Sequence, residues 1–326
     1  MRQRRFMRTA GALVAAGLVA LTAACGGAAP NAAAPAAEPG VGFPRTIATA
    51  KGEVTIPKKP ERVVVLDTAE LDSVTLLGIT PVAAIPPHLS TGEEFPAYLR
   101  EKLGGTALVG PSDSPKLELI ASLKPDLILT SRVRHDAHYD QLARIAPTVM
   151  TETTGFPWKQ NLAMHAAALG KEAEAQAALQ AYEARAKRIG DAIIAKNGGT
   201  APTVSVTRFM AGKIRLYQKS NFSGVVLADA GMTRPPSQNA DEFDNEISPE
   251  LIDMADADTV FVTTAVSPEK TQQKAVESSA LWTRMNAVRN GRVFPVPDET
   301  WMSGIGVQAA NLVLDDLAKA YGVAAA

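Results

Sequence analysis

The chain has 326 residues, with 33 Lys plus Arg against 34 Asp plus Glu, 4 His and a single Cys. So even a balance excludes a strong electrostatic footprint for nucleic acid. One cysteine excludes an intrachain disulfide and a Cys-based metal site.

At the N-terminus, Arg2, Arg4, Arg5 and Arg8 precede a charge-free apolar stretch, residues 10–23, which is short for a bilayer span and is followed by small residues. This is the layout of a secretory signal, so residues 1–24 are expected to be removed. Cys25 follows Leu21-Thr22-Ala23-Ala24, which resembles a bacterial lipobox with its leucine one place early, and Cys25 is the expected lipidation site. Arg4-Arg5-Phe6-Met7-Arg8 also fits twin-arginine export. Removing residues 1–24 takes away four arginines and no acid, which leaves 29 bases against 34 acids and a net charge of −5. Residues 25–43 are mostly Ala, Pro, Gly, Asn and Glu without a periodic apolar face, the composition of a flexible tether. The chain beyond, roughly 280 residues, exceeds one ordinary core and suits two lobes.

Arg62-Val63-Val64-Val65-Leu66 predicts a strand, residues 69–77 an amphipathic helix stopped by Gly78, and Pro81-Val82-Ala83-Ala84 a second strand. The same rhythm recurs at residues 117–130 and 139–150, which predicts a mostly parallel sheet with helices on its faces. Residues 158–201 lack proline, and Leu179, Tyr182, Ala186, Ile189 and Ile193 recur at spacings of three and four. They predict one long helix, placed at residues 166–199, as a strut between an N-terminal lobe (44–165) and a C-terminal lobe (200–326). From Thr203 onward strands and helices alternate again, ending in a helix at residues 307–317.

The two halves echo each other. Glu118-Leu119-Ile120 leads to Asp126 and an apolar run, and Glu250-Leu251-Ile252 leads at the same spacing to Asp258 and another. The fold expected is α/β: two Rossmann-like lobes with mostly parallel sheets, one long α-helix joining them and a ligand cleft between.

Several stretches then resemble the solute-binding lipoproteins of iron-siderophore ABC importers. They are Pro60-Glu61-Arg62-Val63-Val64-Val65, Leu76-Leu77-Gly78-Ile79-Thr80-Pro81-Val82, Leu123-Lys124-Pro125-Asp126-Leu127-Ile128, Ile145-Ala146-Pro147-Thr148-Val149 and Ala287-Val288-Arg289-Asn290-Gly291-Arg292-Val293-Phe294. The resemblance implies a non-catalytic, monomeric receptor, lipid-anchored on the extracytoplasmic face of the membrane, that hands a ferric siderophore to an ABC permease. Iron would arrive in its organic wrapper, so no cofactor and no protein metal ligand is expected. It further implies that Glu118 and Glu250 dock on the permease; the alternative is two solvated acids that favour their helix dipoles.

For the ligand, the resemblance points to Arg208, then to Trp301 and Met302. Trp158, Tyr217 and Arg132 follow, the last at the carboxyl end of a strand, where open α/β sheets bind ligands. Phe209, Phe222, Arg134, Arg215 and Arg234 are further candidates, while Trp282 is assigned to packing. His135 and His138 stand three apart, but His88 and His165 have no evident partner, which argues against a zinc or manganese receptor. A haem or cobalamin receptor of the same fold stays open. A cell-surface hydrolase is the contrasting alternative, without a nucleophile elbow or phosphate loop to support it. Among siderophores a hydroxamate type is favoured, because its complexes carry little negative charge and suit a protein of net charge −5 with one strong arginine better than a trianionic catecholate would. A cleft that gathers three of Arg132, Arg134, Arg208, Arg215 and Arg234 would reverse that preference.

Overall fold

A computed structural model describes residues 42–87 and 95–325. The expected signal peptide, Cys25, most of the tether and His88 lie outside the described residues. No described helix is long and apolar enough to cross a membrane.

A hairpin, β1 (Arg45–Thr49) and β2 (Gly52–Ile56), opens the described chain. The N-terminal lobe continues with β3 (Val63–Val65), α1 (Thr68–Leu76), β4 (Ala83–Ala84), β5 (Ala107–Leu108), α2 (Leu117–Ser122), β6 (Leu127–Ser131), α3 (Arg132–His135), α4 (Tyr139–Ala143) and β7 (Thr148–Thr151). Its sheet runs β5-β4-β3-β6-β7 and is parallel throughout. All three valines of β3 are fully buried, as a central parallel strand covered on both faces requires.

Next come α5 (Trp158–Leu169) and α6 (Glu172–Lys196). The single helix expected here is two: Gly170 takes the left-handed conformation (φ 67°, ψ 43°), caps α5 and breaks the run. The 25 residues of α6 span about 37 Å and link the lobes. Gly190, a helix-weakening residue toward its C-terminal end, is needed because a Cβ there would lie 2.7 Å from the carbonyl carbon of Ala230.

The C-terminal lobe holds β8 (Val204–Met210), β9 (Lys213–Tyr217), α7 (Phe222–Asp229), β10 (Asp244–Ile247), β11 (Thr259–Thr264), α8 (Gln273–Glu277), α9 (Ala280–Thr283), α10 (Asn286–Arg289), β12 (Val293–Pro295) and α11 (Val307–Tyr321). Its sheet runs β10-β9-β8-β11-β12, with β9 antiparallel to both neighbours. The internal echo is structural. Asp126 accepts the N–H of Arg62 at 2.9 Å just before β3, and Asp258 accepts the N–H of Thr203 at 2.7 Å just before β8. Each aspartate ties the entry of its lobe's central strand to the strand beside it.

One apolar cluster passes through both lobes, from Val63, Leu71 and Trp158 through Tyr182 to Phe261, Trp301 and Val313. Helix α1 sits inside it. The expected amphipathic pattern is absent, since every residue from Thr68 to Thr75 is buried. The acids of this helix and of its N-cap are therefore tied rather than solvated. Asp67 caps the helix, Glu70 accepts from Thr151 at 3.1 Å, and Asp72 reaches the other lobe.

Candidate ligand-binding site

A cleft of about 660 Å³ opens between the lobes. The N-terminal lobe lines it with Thr68, Val133, Arg134 and residues 153–156, and the C-terminal lobe with Arg208, Arg215, Tyr217, residues 220–222, residues 241–243 and residues 301–303 with Ile305.

Arg208 lies in β8, buried against the sheet, with its fork closed on Asp298: Nε donates to Oδ1 and a terminal nitrogen to Oδ2, both at 2.7 Å. Its other terminal nitrogen donates to the Tyr217 hydroxyl at 3.0 Å. Burial pulls this guanidinium down, but Tyr217 and Asp298 outweigh it and hold the group above the usual arginine range. Arg215 faces Arg208 across the β8–β9 register, paired with Glu246 at 2.7 Å and Asp244 at 3.0 Å. Arg134 enters from the other lobe, with Nε 3.4 Å from the buried Asp67 carboxylate. No described residue accepts a hydrogen bond from its two terminal nitrogens.

The cleft mouth is apolar. Val133, Phe156 and Phe243 are 55%, 51% and 50% exposed, and Phe243 meets Tyr217 edge-on at 5.4 Å. Phe156 and Phe243 were not expected from the sequence. Phe156 lies in Gly155-Phe156-Pro157, an aromatic between loop-forming residues, and Phe243 interrupts the acidic stretch Asp241-Glu242-Phe243-Asp244. An apolar side chain in such a polar loop is the signal that would have found them.

Of the expected ligand residues, Arg208, Tyr217 and Met302 line this cleft, as do Arg134, Arg215 and Phe222. Trp301 lines its floor but is wholly buried, stacked on Phe261 at 4.6 Å with its indole N–H donated to Asp316. Placing it in a loop for contact with ligand underestimated its packing. Trp158 is not at the cleft: it packs edge-on against Tyr182 at 5.3 Å and Phe222 at 6.0 Å in the core. Arg132 is also elsewhere, bonded to Asp136 and Glu152 at 3.1 Å. Residues two apart on a helix are about 200° apart around its axis, so placing Arg134 in the cleft turns Arg132 away. Phe209 packs on Trp282 in the core, and Arg234 is buried behind Tyr217, donating to its carbonyl and to Gln238.

His135 is buried between Thr130 and the carbonyl of Ser112, with its pKa lowered by burial. His165 lies 3.7 Å from Glu70 inside the N-terminal lobe. Among the described residues no three His, Cys, Asp or Glu side chains gather as a metal site. Glu118 and Glu250 are exposed in the first turns of α2 and of the 3-10 segment Pro249–Ala255. Both are followed by an exposed leucine and a fully buried isoleucine.

Similarity to known proteins agrees with this geometry. The chain is 35% identical over 285 residues to the probable siderophore-binding lipoprotein YfiY of Bacillus subtilis (strain 168), covering 84% of this chain and 86% of that protein. It is 33% identical over 276 residues to the achromobactin-binding periplasmic protein of Dickeya dadantii (strain 3937), covering 81% and 88%. The crystal structure of Staphylococcus aureus SirA complexed with staphyloferrin B superposes with a TM-score of 0.78 at 31% identity, over 86% of this chain and all of that one. Residues 63–300 match the periplasmic binding protein family, and this chain belongs to it.

Proposed function

We propose that the protein is the receptor of an iron importer, and that its ligand is a ferric siderophore carrying ionised carboxylates. The observation that carries this reading is the convergence of Arg134, Arg208 and Arg215 on one cleft. A guanidinium fork matches a carboxylate in two parallel hydrogen bonds, and it has five N–H donors. Arg208 spends three of them on the protein, so its ion pair fixes the fork and leaves donors over. Arg134 has more to offer. Val133, Phe156 and Phe243 cover the apolar linkers of such a ligand.

The hydroxamate preference, set against a trianionic catecholate, assumed one strong arginine; three in the cleft favour a more highly charged complex. The name of one relative points the same way: a Bacillus subtilis protein 30% identical over 284 residues is an Fe(3+)-citrate-binding protein. The wider reading keeps the signal peptide at 1–24, the lipid on Cys25 with a tether to residue 43, docking of Glu118 and Glu250 on an ABC permease, and no catalysis. Tryptophan fluorescence titration with ferric citrate, a ferric citrate-based siderophore, a ferric hydroxamate, a ferric catecholate, haem and cobalamin tests the ligand class. Carboxylate complexes are expected to bind tightest. Tighter binding of the hydroxamate, or of haem, would overturn the assignment.

A further inference from the structure

We infer that Asp72, a residue outside the cleft, is a positioning residue that holds the ligand-facing segment of the C-terminal lobe from the N-terminal lobe. Its effect on affinity rests on the receptor reading above.

The Asp72 carboxylate is fully buried and accepts the backbone N–H groups of Gln308 at 3.1 Å and Ala309 at 3.0 Å, the open first turn of α11. A helix start is ordinarily capped by a residue a few places upstream in its own chain segment. Here the cap comes from α1, in the other lobe. Gln308 answers it, donating from its side chain to the Asp72 carbonyl at 2.8 Å and to the Thr75 hydroxyl at 2.9 Å. The fit excludes side chains: a Cβ at Gly306 would sit on the Asp72 carboxylate, and one at Gly304 would lie 2.8 Å from the Tyr98 hydroxyl.

The segment pinned in this way carries the cleft. Asp298 at its start holds the Arg208 fork, Met302, Ser303 and Ile305 line the cavity, and the Ser303 carbonyl accepts from Thr68 of α1 at 2.6 Å. The turn between, Glu299–Ser303, is π-helical, a winding that concentrates at functional sites. The groups around the carboxylate are Tyr98, which donates to it at 3.2 Å, Lys102, which bonds Gln308, and Glu299, which accepts from the Ala97 N–H. Burial outweighs these hydrogen bonds and pushes Asp72 up to about 6. An ionised carboxylate is the stronger cap for a helix dipole, and a protonated one is weaker. While the carboxylate stays buried, its bonds to these two N–H groups are therefore tight at neutral pH and slack in mild acid, even as protonation relieves the cost of the buried charge.

The test compares Asp72→Asn with the parent, using ferric citrate as probe and tryptophan fluorescence as readout. The ratio of the two dissociation constants at each pH cancels the titration of the probe itself. Asp72→Asn is expected to bind about tenfold more weakly at about pH 7.5 and within about twofold at about pH 5, where the parent has also lost its charge. A ratio that stays constant with pH, or stays near one, would overturn the inference. Amide hydrogen exchange of residues 304–312 without ligand should be faster in the variant at neutral pH, and equal exchange would equally overturn it. If ferric citrate binds neither protein, the ligand class fails while the exchange comparison still decides the role of Asp72. Should Asp72→Asn not fold, Tyr98→Phe removes one hydrogen bond from the carboxylate. It is expected to move the loss of affinity to higher pH than in the parent, and an unmoved profile would count against the inference.

Discussion

At the scale of single residues, the cleft is decided by which side chains have hydrogen-bonding capacity left over. Arg132 and Arg134 are two positions apart, yet Arg132 is spent on Asp136 and Glu152, whereas the terminal nitrogens of Arg134 have no acceptor among the described residues. A hydrogen bond from a charged group contributes roughly 1.5 to 3 kcal/mol. Arg134→Ala should therefore weaken a ferric carboxylate complex by about one to two powers of ten, and Arg132→Ala should leave affinity within about twofold. Isothermal titration of both variants checks the contrast, and equal losses would remove Arg134 from its special place. Arg208 and Met302 were legible through the family resemblance, with Tyr217 as a further candidate, and all three line the cleft. The choice between Arg132 and Arg134 was not legible, since a four-residue helix has no periodicity from which to read its phase.

At the scale of elements, α1 shows how far a hydrophobic pattern can mislead. Its alternation of apolar and acidic residues reads as one wet face and one dry face, but the helix is buried all round and its acids bond to three different neighbours. The cost is measurable for Asp72. In the folded protein it takes up a proton near pH 6, and in the unfolded chain near its ordinary 3.8, so between these values the folded state binds more protons. Stability from this group accordingly rises as pH falls from about 7 towards 4, by about 3 kcal/mol. Urea unfolding of the parent relative to Asp72→Asn across that range should show the rise, and a fall would refute the assignment. Strands β3, β6, β8 and β11 were legible as β-branched or apolar runs. The division of α5 from α6 was not read, because Gly170 sits in an otherwise continuous helical pattern and its left-handed backbone is a tertiary choice.

At the scale of the whole molecule, the doubled unit is the feature the sequence displayed most openly. Both copies place an exposed glutamate ahead of a buried isoleucine and an aspartate that ties down a central strand. Two charges fixed on two lobes suit a two-point dock, where charge mainly sets orientation and encounter rate. Changing Glu118 and Glu250 together to Ala should leave ligand affinity within about twofold while import into cells drops at least about tenfold. Undiminished import would sink the docking role, and lost affinity would move these residues to the cleft.

The apolar cluster that runs unbroken through both lobes has a consequence for traffic at the membrane. Closing the cleft would mean shearing this shared core, so on the receptor reading proposed above vacant and loaded copies would differ little in outline. Both would then contend for the same landing place on the permease. On that reading, surplus copies would obstruct uptake rather than help it, and the cell would do best with a number of copies that follows the supply of ligand outside.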